Sequence, residues 1–246
     1  MIDTKKKLVL CHLYYEDLVF GLLKKLHDLN DDATFFAFNL SSTLYKNARL
    51  LKDIRDNFPN SVVIHAPNAG RDIGAKLRLF QAAESLNISH DYTLILHDKK
   101  SPHTNDGTKW SDDLLRIIGA KTLPTVYSTF ESLPDIGIIC SKNYIQNEYV
   151  KETNSFLCTS NSIIKSILAT NKIQTRNYDF VAGNIFWVRS ELLKQFFRSK
   201  MSTDKIIASL EKGNNIVDFS KGTYVHAWER IMCWIATSQG YKIYGV

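Results

Sequence analysis

The sequence predicts an α/β fold in a single domain, with a mostly parallel central sheet flanked by helices on both faces. Three observations carry that expectation. Short runs of β-branched and aromatic residues alternate along the chain with stretches whose apolar residues recur every three or four positions. The run Leu94-Ile95-Leu96 is apolar at consecutive positions, as in a strand buried on both faces. With 246 residues, 44% hydrophobic and 23% charged, the chain is long enough to bury a generous core.

The elements follow in order. Residues 8–15 read as a first strand, leading into a helix whose Leu18, Val19, Leu22, Leu23, Leu26 and Leu29 share one face. Residues 34–40, rich in Phe, form a second strand. Leu44, Ala48, Leu51 and Ile54 place a helix over 44–58, and the β-branched stretch 61–66 is a third strand. Asn68-Ala69-Gly70-Arg71-Asp72 makes a turn and opens a helix reaching Leu86, with Asp72 as its N-cap. A fourth strand covers 92–96, a helix capped by Ser111 covers 110–118, and a fifth strand covers 135–140.

Residues 142–177 are rich in Asn, Ser and Thr around one apolar segment, 163–168, and read as an excursion over the edge of a site. More regular elements close the chain: a strand over 180–188, a helix from Glu191, another over 203–210, then 224–238 and a short strand at 241–244. There is no internal repeat.

Composition excludes several classes. No stretch has the apolar length that spans a bilayer, and Lys5-Lys6-Lys7 precedes only three apolar residues before Cys11 and His12. Neither a signal peptide nor an anchor is expected. Cys11, Cys140, Cys158 and Cys233 are far apart, with no CxxC pair, which fits reduced thiols in a cytoplasmic protein. A net charge of +6 admits nucleic acid, an anionic membrane surface or phosphorylated small molecules as partners. Nucleic acid is not expected, because no basic helix and no aromatic-basic interleaving is present.

Two segments concentrate chemistry. The strand ending at Leu96 empties into His97-Asp98-Lys99-Lys100-Ser101-Pro102-His103, and ligands of open α/β sheets bind beyond the carboxyl ends of strands. Two lysines, two histidines, an aspartate and a serine there suit an anionic ligand such as a diphosphate; a merely solvated basic loop is the alternative. Asn68-Ala69-Gly70-Arg71-Asp72-Ile73-Gly74 sits at a strand-to-helix junction, where free N–H groups and the helix dipole favour negative charge. There Arg71 could contact phosphate and Asp72 a ribose hydroxyl; a capped turn with an Arg–Asp surface pair is the plainer reading. Neither segment is a Gly-x-Gly-x-x-Gly fingerprint or a Walker loop.

The spaced set Asn68-x-Gly70-Arg71-Asp72, Leu96-His97-x-Lys99-Lys100-Ser101-Pro102-His103 with Trp110 following, and Ala182-Gly183-x-x-Phe186-Trp187-x-Arg189 resembles the rhamnan synthesis protein F family of bacterial polysaccharide glycosyltransferases. The resemblance runs from the third strand to the C-terminus. It implies a GT-A-like domain over 1–246, with a nucleotide-sugar-binding half at 1–141 and an acceptor-side half at 142–246. It also implies transfer of a hexose from a UDP- or dTDP-sugar to O-antigen, capsule or another lipid-linked or polysaccharide acceptor. The enzyme would be cytoplasmic and could sit at the inner membrane face, alone or as a module of a larger enzyme. A noncatalytic nucleotide- or glycan-binding module is the alternative.

Under that resemblance the residues acquire roles. His12, Asn68, Gly70, Arg71, Asp72, His97, Asp98, Lys99, Lys100, Ser101 and His103 are candidates for the donor side. Many GT-A enzymes hold a divalent ion with Asp-x-Asp, which this chain lacks, so fixed cations would face the diphosphate. Asp98 could instead hold a lone Mg or Mn ion, which leaves metal dependence open. An inverting transfer needs a base: Glu229 is the first candidate, oriented by His226 or Arg230, and Asp179 the reserve. Gly183 would let an acceptor sugar approach closely, Trp187 would stack on a pyranose face, and His226 would stand on the acceptor side.

Overall fold

The computed structural model describes residues 5–98, 100, 107–211 and 222–246. The first half alternates strand and helix: β1 (Lys7–Leu13), α1 (Val19–Leu26), β2 (Thr34–Leu40), α2 (Ser42–Tyr45), α3 (Ala48–Asn57), β3 (Ser61–Ile64), α4 (Arg71–Ser85), β4 (Tyr92–His97), α5 (Gly107–Leu114), α6 (Leu123–Ser132) and β5 (Ile136–Cys140). Three two-residue strands follow, β6 (Ile145–Gln146), β7 (Tyr149–Val150) and β8 (Ser155–Phe156), then α7 (Asn161–Thr170). The last elements are β9 (Phe180–Val181), β10 (Phe186–Arg189), α8 (Ser190–Ser199), α9 (Thr203–Ser209), α10 (Tyr224–Thr237) and β11 (Lys242–Gly245).

Seven strands form the main sheet in the order β11-β5-β10-β4-β1-β2-β3. β1 runs parallel to β2 and β4, β2 parallel to β3, and β11 parallel to β5. Only β10 within this sheet is antiparallel, inserted between β4 and β5.

Burial explains the continuous apolar runs. Along β1, Leu8 and Leu10 enter one core while Val9, Cys11 and Leu13 enter the other. The first core is covered by α4, α8 and α10 through Ile73, Leu77, Leu193 and Ile231; the second by α1, α3 and α6 through Leu22, Leu26, Ile54 and Phe130. Each such side chain contributes about 1.5–3 kcal/mol when fully buried. The two-faced α/β class is therefore the class expected from the sequence.

Several local expectations are corrected. The helix expected over 44–58 is two helices, because Ser41 Oγ accepts from Leu44 N–H and Asn47 Oδ1 from Leu50 N–H, each capping a separate start. Ser111 lies inside α5 rather than capping it. Asp72 lies in the first turn of α4, whose N-cap is Gly70 at φ 76°. The strand expected over 180–188 is interrupted by a turn at 182–185, and α6 was not anticipated. Among the described residues no helix is long and apolar enough to cross a membrane.

Candidate active site

Parallel strands β1, β2 and β4 end together, and α4 enters beside them. At this edge Lys76 is buried to 1% exposure, and its ammonium donates to Asp72 Oδ2 at 2.8 Å and to the Asn184 carbonyl at 2.8 Å, with His97 Nδ1 at 2.9 Å. Asp72 Oδ2 also lies 3.6 Å from His97 Nδ1. A buried cation is tolerable only when paired and hydrogen-bonded, and Lys76 has three polar atoms within hydrogen-bonding distance of its ammonium. Its position on α4 accounts for the arrangement: four residues after Asp72, it lies on the same helix face, next to the core residues Ile73 and Leu77.

His12 pairs in register with His97 and leads to a second group. Asn39 Oδ1 accepts from Ala66 N–H at 2.9 Å, which turns its Nδ2 toward His12 Nδ1 at 2.9 Å. Burial lowers the His12 pKa to about 4, so the ring is neutral. A cavity of about 280 Å³ opens here, with His12, Asn39, Thr43, Pro67, Asn68 and Arg71 in its wall. Arg71 follows Gly70 in left-handed backbone, φ 49° after φ 76°. Gly70 itself serves the turn: its N–H donates to the Glu211 carbonyl at 2.8 Å, and a Cβ there would meet Leu210 Cδ1 at 2.3 Å. It thus shapes the turn that carries Asn68 and Arg71 into the cavity wall.

Asp98 is 3% exposed and faces inward. Its Oδ2 accepts from Tyr14 N–H at 2.8 Å and Tyr15 N–H at 2.7 Å, fastening the loop after β1, while Oδ1 is buried with no hydrogen-bond partner. Burial raises its pKa to about 7, against the lowering effect of those two amides. A lone carboxylate enclosed in this way offers an ion no accessible oxygen. Among the described residues no group of three or more His, Cys, Asp or Glu side chains could hold a metal.

On the other side of the edge, Glu229 Oε1 accepts from Gly183 N–H at 2.9 Å, and Oε2 lies 3.2 Å from Arg230 Nη1. The Arg230 fork also grips Glu148 with two bonds of 2.8 Å. His226, one turn before Arg230, pairs its Nδ1 with Thr223 Oγ1 at 2.9 Å, and burial lowers its pKa despite the nearby Glu229. Arg71 and Asp72 lie within electrostatic reach of it. The reserve base Asp179 accepts from Asn147 Nδ2 at 2.8 Å, and its backbone N–H donates to Asn177 Oδ1 at 2.8 Å, on the excursion rather than in the Lys76 cluster.

Two acceptor-side expectations are corrected. Trp187 is 0% exposed, donates its indole N–H to the Ile117 carbonyl at 3.1 Å and packs on Tyr127, leaving no face for a sugar. Gly183 takes φ 87°, and the space a Cβ would occupy holds Leu114 Cδ1 at 2.9 Å, so a packed side chain fills the approach reserved for a sugar.

Lys100 is exposed and bridges Asp17 at 2.5 Å, above the Tyr15 ring. Lys99, Ser101 and His103 lie outside the described residues. The sequence reading missed Lys76, Asn39 and Asn184. Only Lys76 carried a signal, a lysine on an apolar helix face four residues after an aspartate. Asn184 is 1% exposed at φ 51°, with neither amide atom hydrogen-bonded.

The fold and this edge define an α/β protein with a buried polar cluster and a cavity at the carboxyl ends of its parallel strands. The family model for rhamnan synthesis protein F matches residues 1–241, and the chain belongs to that family. It is 23% identical over 238 residues to the uncharacterized protein WxcX of Xanthomonas campestris pv. campestris, in strain B100 and equally in strain ATCC 33913. The match covers 96% of this chain and 32% of WxcX, so the chain spans about a third of the length of these relatives. Among solved structures it resembles the mannosyltransferase PcManGT of Pyrobaculum calidifontis, in complex with GDP-Man and Mn2+. That likeness has 14% identity and a TM-score of 0.42, and covers 98% of this chain and 55% of the other.

Proposed function

We propose that the chain is a GT-A-like glycosyltransferase domain that moves a hexose from a UDP- or dTDP-sugar to a growing bacterial surface polysaccharide, with inversion. Membership of the rhamnan synthesis protein F family supports the reading. The observation that carries it is the cavity of about 280 Å³ walled by His12, Asn68 and Arg71, beside the Asp72–Lys76–His97 cluster. A neutral His12 and an amide-rich wall suit a nucleoside, and Arg71 supplies a fixed, forked cation for its diphosphate. Lys99, Lys100, Ser101 and His103 complete the donor side in this proposal.

In the transfer, the acceptor hydroxyl oxygen bonds to the anomeric carbon as that carbon's bond to the diphosphate oxygen breaks, and the electron pair leaves with the diphosphate. The hydroxyl proton passes to Glu229, whose carboxylate is held by Gly183 and Arg230. His226 stands on the acceptor side. Arg71 and the basic segment after β4 stabilise the departing charge.

The test is a panel of nucleotide sugars in thermal shift, followed by product formation with isolated polysaccharide acceptors. A ligand that binds only the folded state raises its apparent stability. A response to one donor together with a glycosylated product is expected. A response without product in any acceptor fraction would instead favour a binding module, and no response to any donor would overturn the reading.

A further inference from the structure

We propose that Lys76 is a positioning residue that fixes His97 in its Nε2–H tautomer. A lysine ammonium only donates, so a ring nitrogen 2.9 Å from Lys76 Nζ must be the bare, accepting one. The remaining two ammonium protons are directed to Asp72 Oδ2 and the Asn184 carbonyl, each at 2.8 Å, so the ammonium cannot turn away without breaking a buried pair. Lys76 is 1% exposed and water does not compete for the contact. When the His97 ring carries one proton, that proton then resides on Nε2.

Asp72 opposes this arrangement. Its Oδ2 lies 3.6 Å from His97 Nδ1, and a carboxylate beside a ring nitrogen ordinarily draws a proton onto it. The ammonium lies between the two in effect, bound to both, and reverses the preference. Lys76 and Asp72 from α4, His12 from β1 and the adjoining Asp98 stand near the ring, and the buried thiols of Cys11 and Cys233 lie within electrostatic reach of Lys76. The consequence rests on the glycosyl-transfer reading: with Nδ1 held by the Lys76 ammonium, His97 is unavailable as the base.

The test needs no ligand. The protein is labelled with 15N-histidine, one of its seven ring systems is assigned by His97→Gln, and the protonated nitrogen is read by long-range 15N–1H correlation near neutral pH. In the unaltered protein His97 is expected to carry its proton on Nε2, with Nδ1 bare. In Lys76→Met, Asp72 is left facing the ring and Nδ1 should become protonated; in Asp72→Asn, with Lys76 retained, Nδ1 should stay bare. A protonated Nδ1 in the unaltered protein overturns the proposal even if Lys76→Met does not fold, and so does an unchanged tautomer in a folded Lys76→Met. Failure of every nucleotide sugar to bind would remove the glycosyl-transfer reading while leaving this result standing.

Discussion

Glu229 Oε1 accepts the Gly183 N–H at 2.9 Å, joining helix α10 to the turn that precedes the one antiparallel strand of the sheet. One residue further, the Asn184 carbonyl accepts a hydrogen bond from the Lys76 ammonium. A single turn thus connects the proposed base to the Asp72–Lys76–His97 cluster. The two sides of the site are fastened to the backbone of consecutive residues, Gly183 and Asn184.

Glu229→Gln should therefore leave the fold and donor binding nearly intact, since the amide oxygen still accepts from Gly183. It cannot take up the acceptor proton. Turnover is expected to fall by about 10²–10⁴-fold, the usual contribution of a positioned base, at nearly constant donor affinity. Retained turnover, or an equal loss confined to Asp179→Asn, would move the base elsewhere.

Arg71→Gly separates binding from folding. Left-handed backbone costs a non-glycine residue about 1–2 kcal/mol, and Gly at a helix start gives back about 0.5–1 kcal/mol of that relief. Thermal stability should change little, while affinity for uridine diphosphate, followed by calorimetry, falls roughly 10- to 100-fold with the loss of one charged contact. Unaltered affinity would take Arg71 out of the donor site.

Asp98 makes stability depend on pH. Its folded pKa of about 7 lies above the ordinary 3.8, so the native state keeps a proton that the unfolded chain releases. That stabilisation is fully present below pH 3.8 and is lost as pH rises through about 7. At about 1.4 kcal/mol per unit, the swing is on the order of a few kcal/mol. Melting curves of Asp98→Asn against pH should lack this decline; parallel curves for the two proteins would show that the carboxyl titrates normally.

Transfer activity should persist substantially in EDTA, because Asp98 is enclosed by the amides of Tyr14 and Tyr15. Complete loss on chelation, restored by manganese or magnesium, would mean that carboxylates outside this cluster hold an ion.

Strand and helix order were legible because both cores impose local patterns: β2 occupies 34–40 as its Phe-rich run indicates, and α10 and α8 fall within a residue or so of their apolar periodicity. The insertion of β10 between β4 and β5 was not, since pairing across about ninety residues leaves no local mark. Helix breaks at Ser41 and Asn47 came from side-chain caps that periodicity overrides. In the site, His12 and His97 were readable as polar residues toward strand ends and Arg71 as a cation at a helix start. Trp187 and Gly183 were misread because an aromatic and a glycine have the same letters whether they meet a sugar or a neighbouring side chain. Lys76 escaped because burial of a charge depends on acceptors from three separate elements.

The placement of β10 also governs how the chain can be made. During synthesis, β4 emerges long before Phe186–Arg189, so one edge of the growing sheet stays open on the ribosome until the later strand arrives. Open edges invite pairing with other chains. A fragment ending near residue 141 would keep the cavity wall yet leave one edge of β4 and both edges of β5 unpaired, so a chain cut there should give aggregates rather than an isolated nucleotide-binding piece.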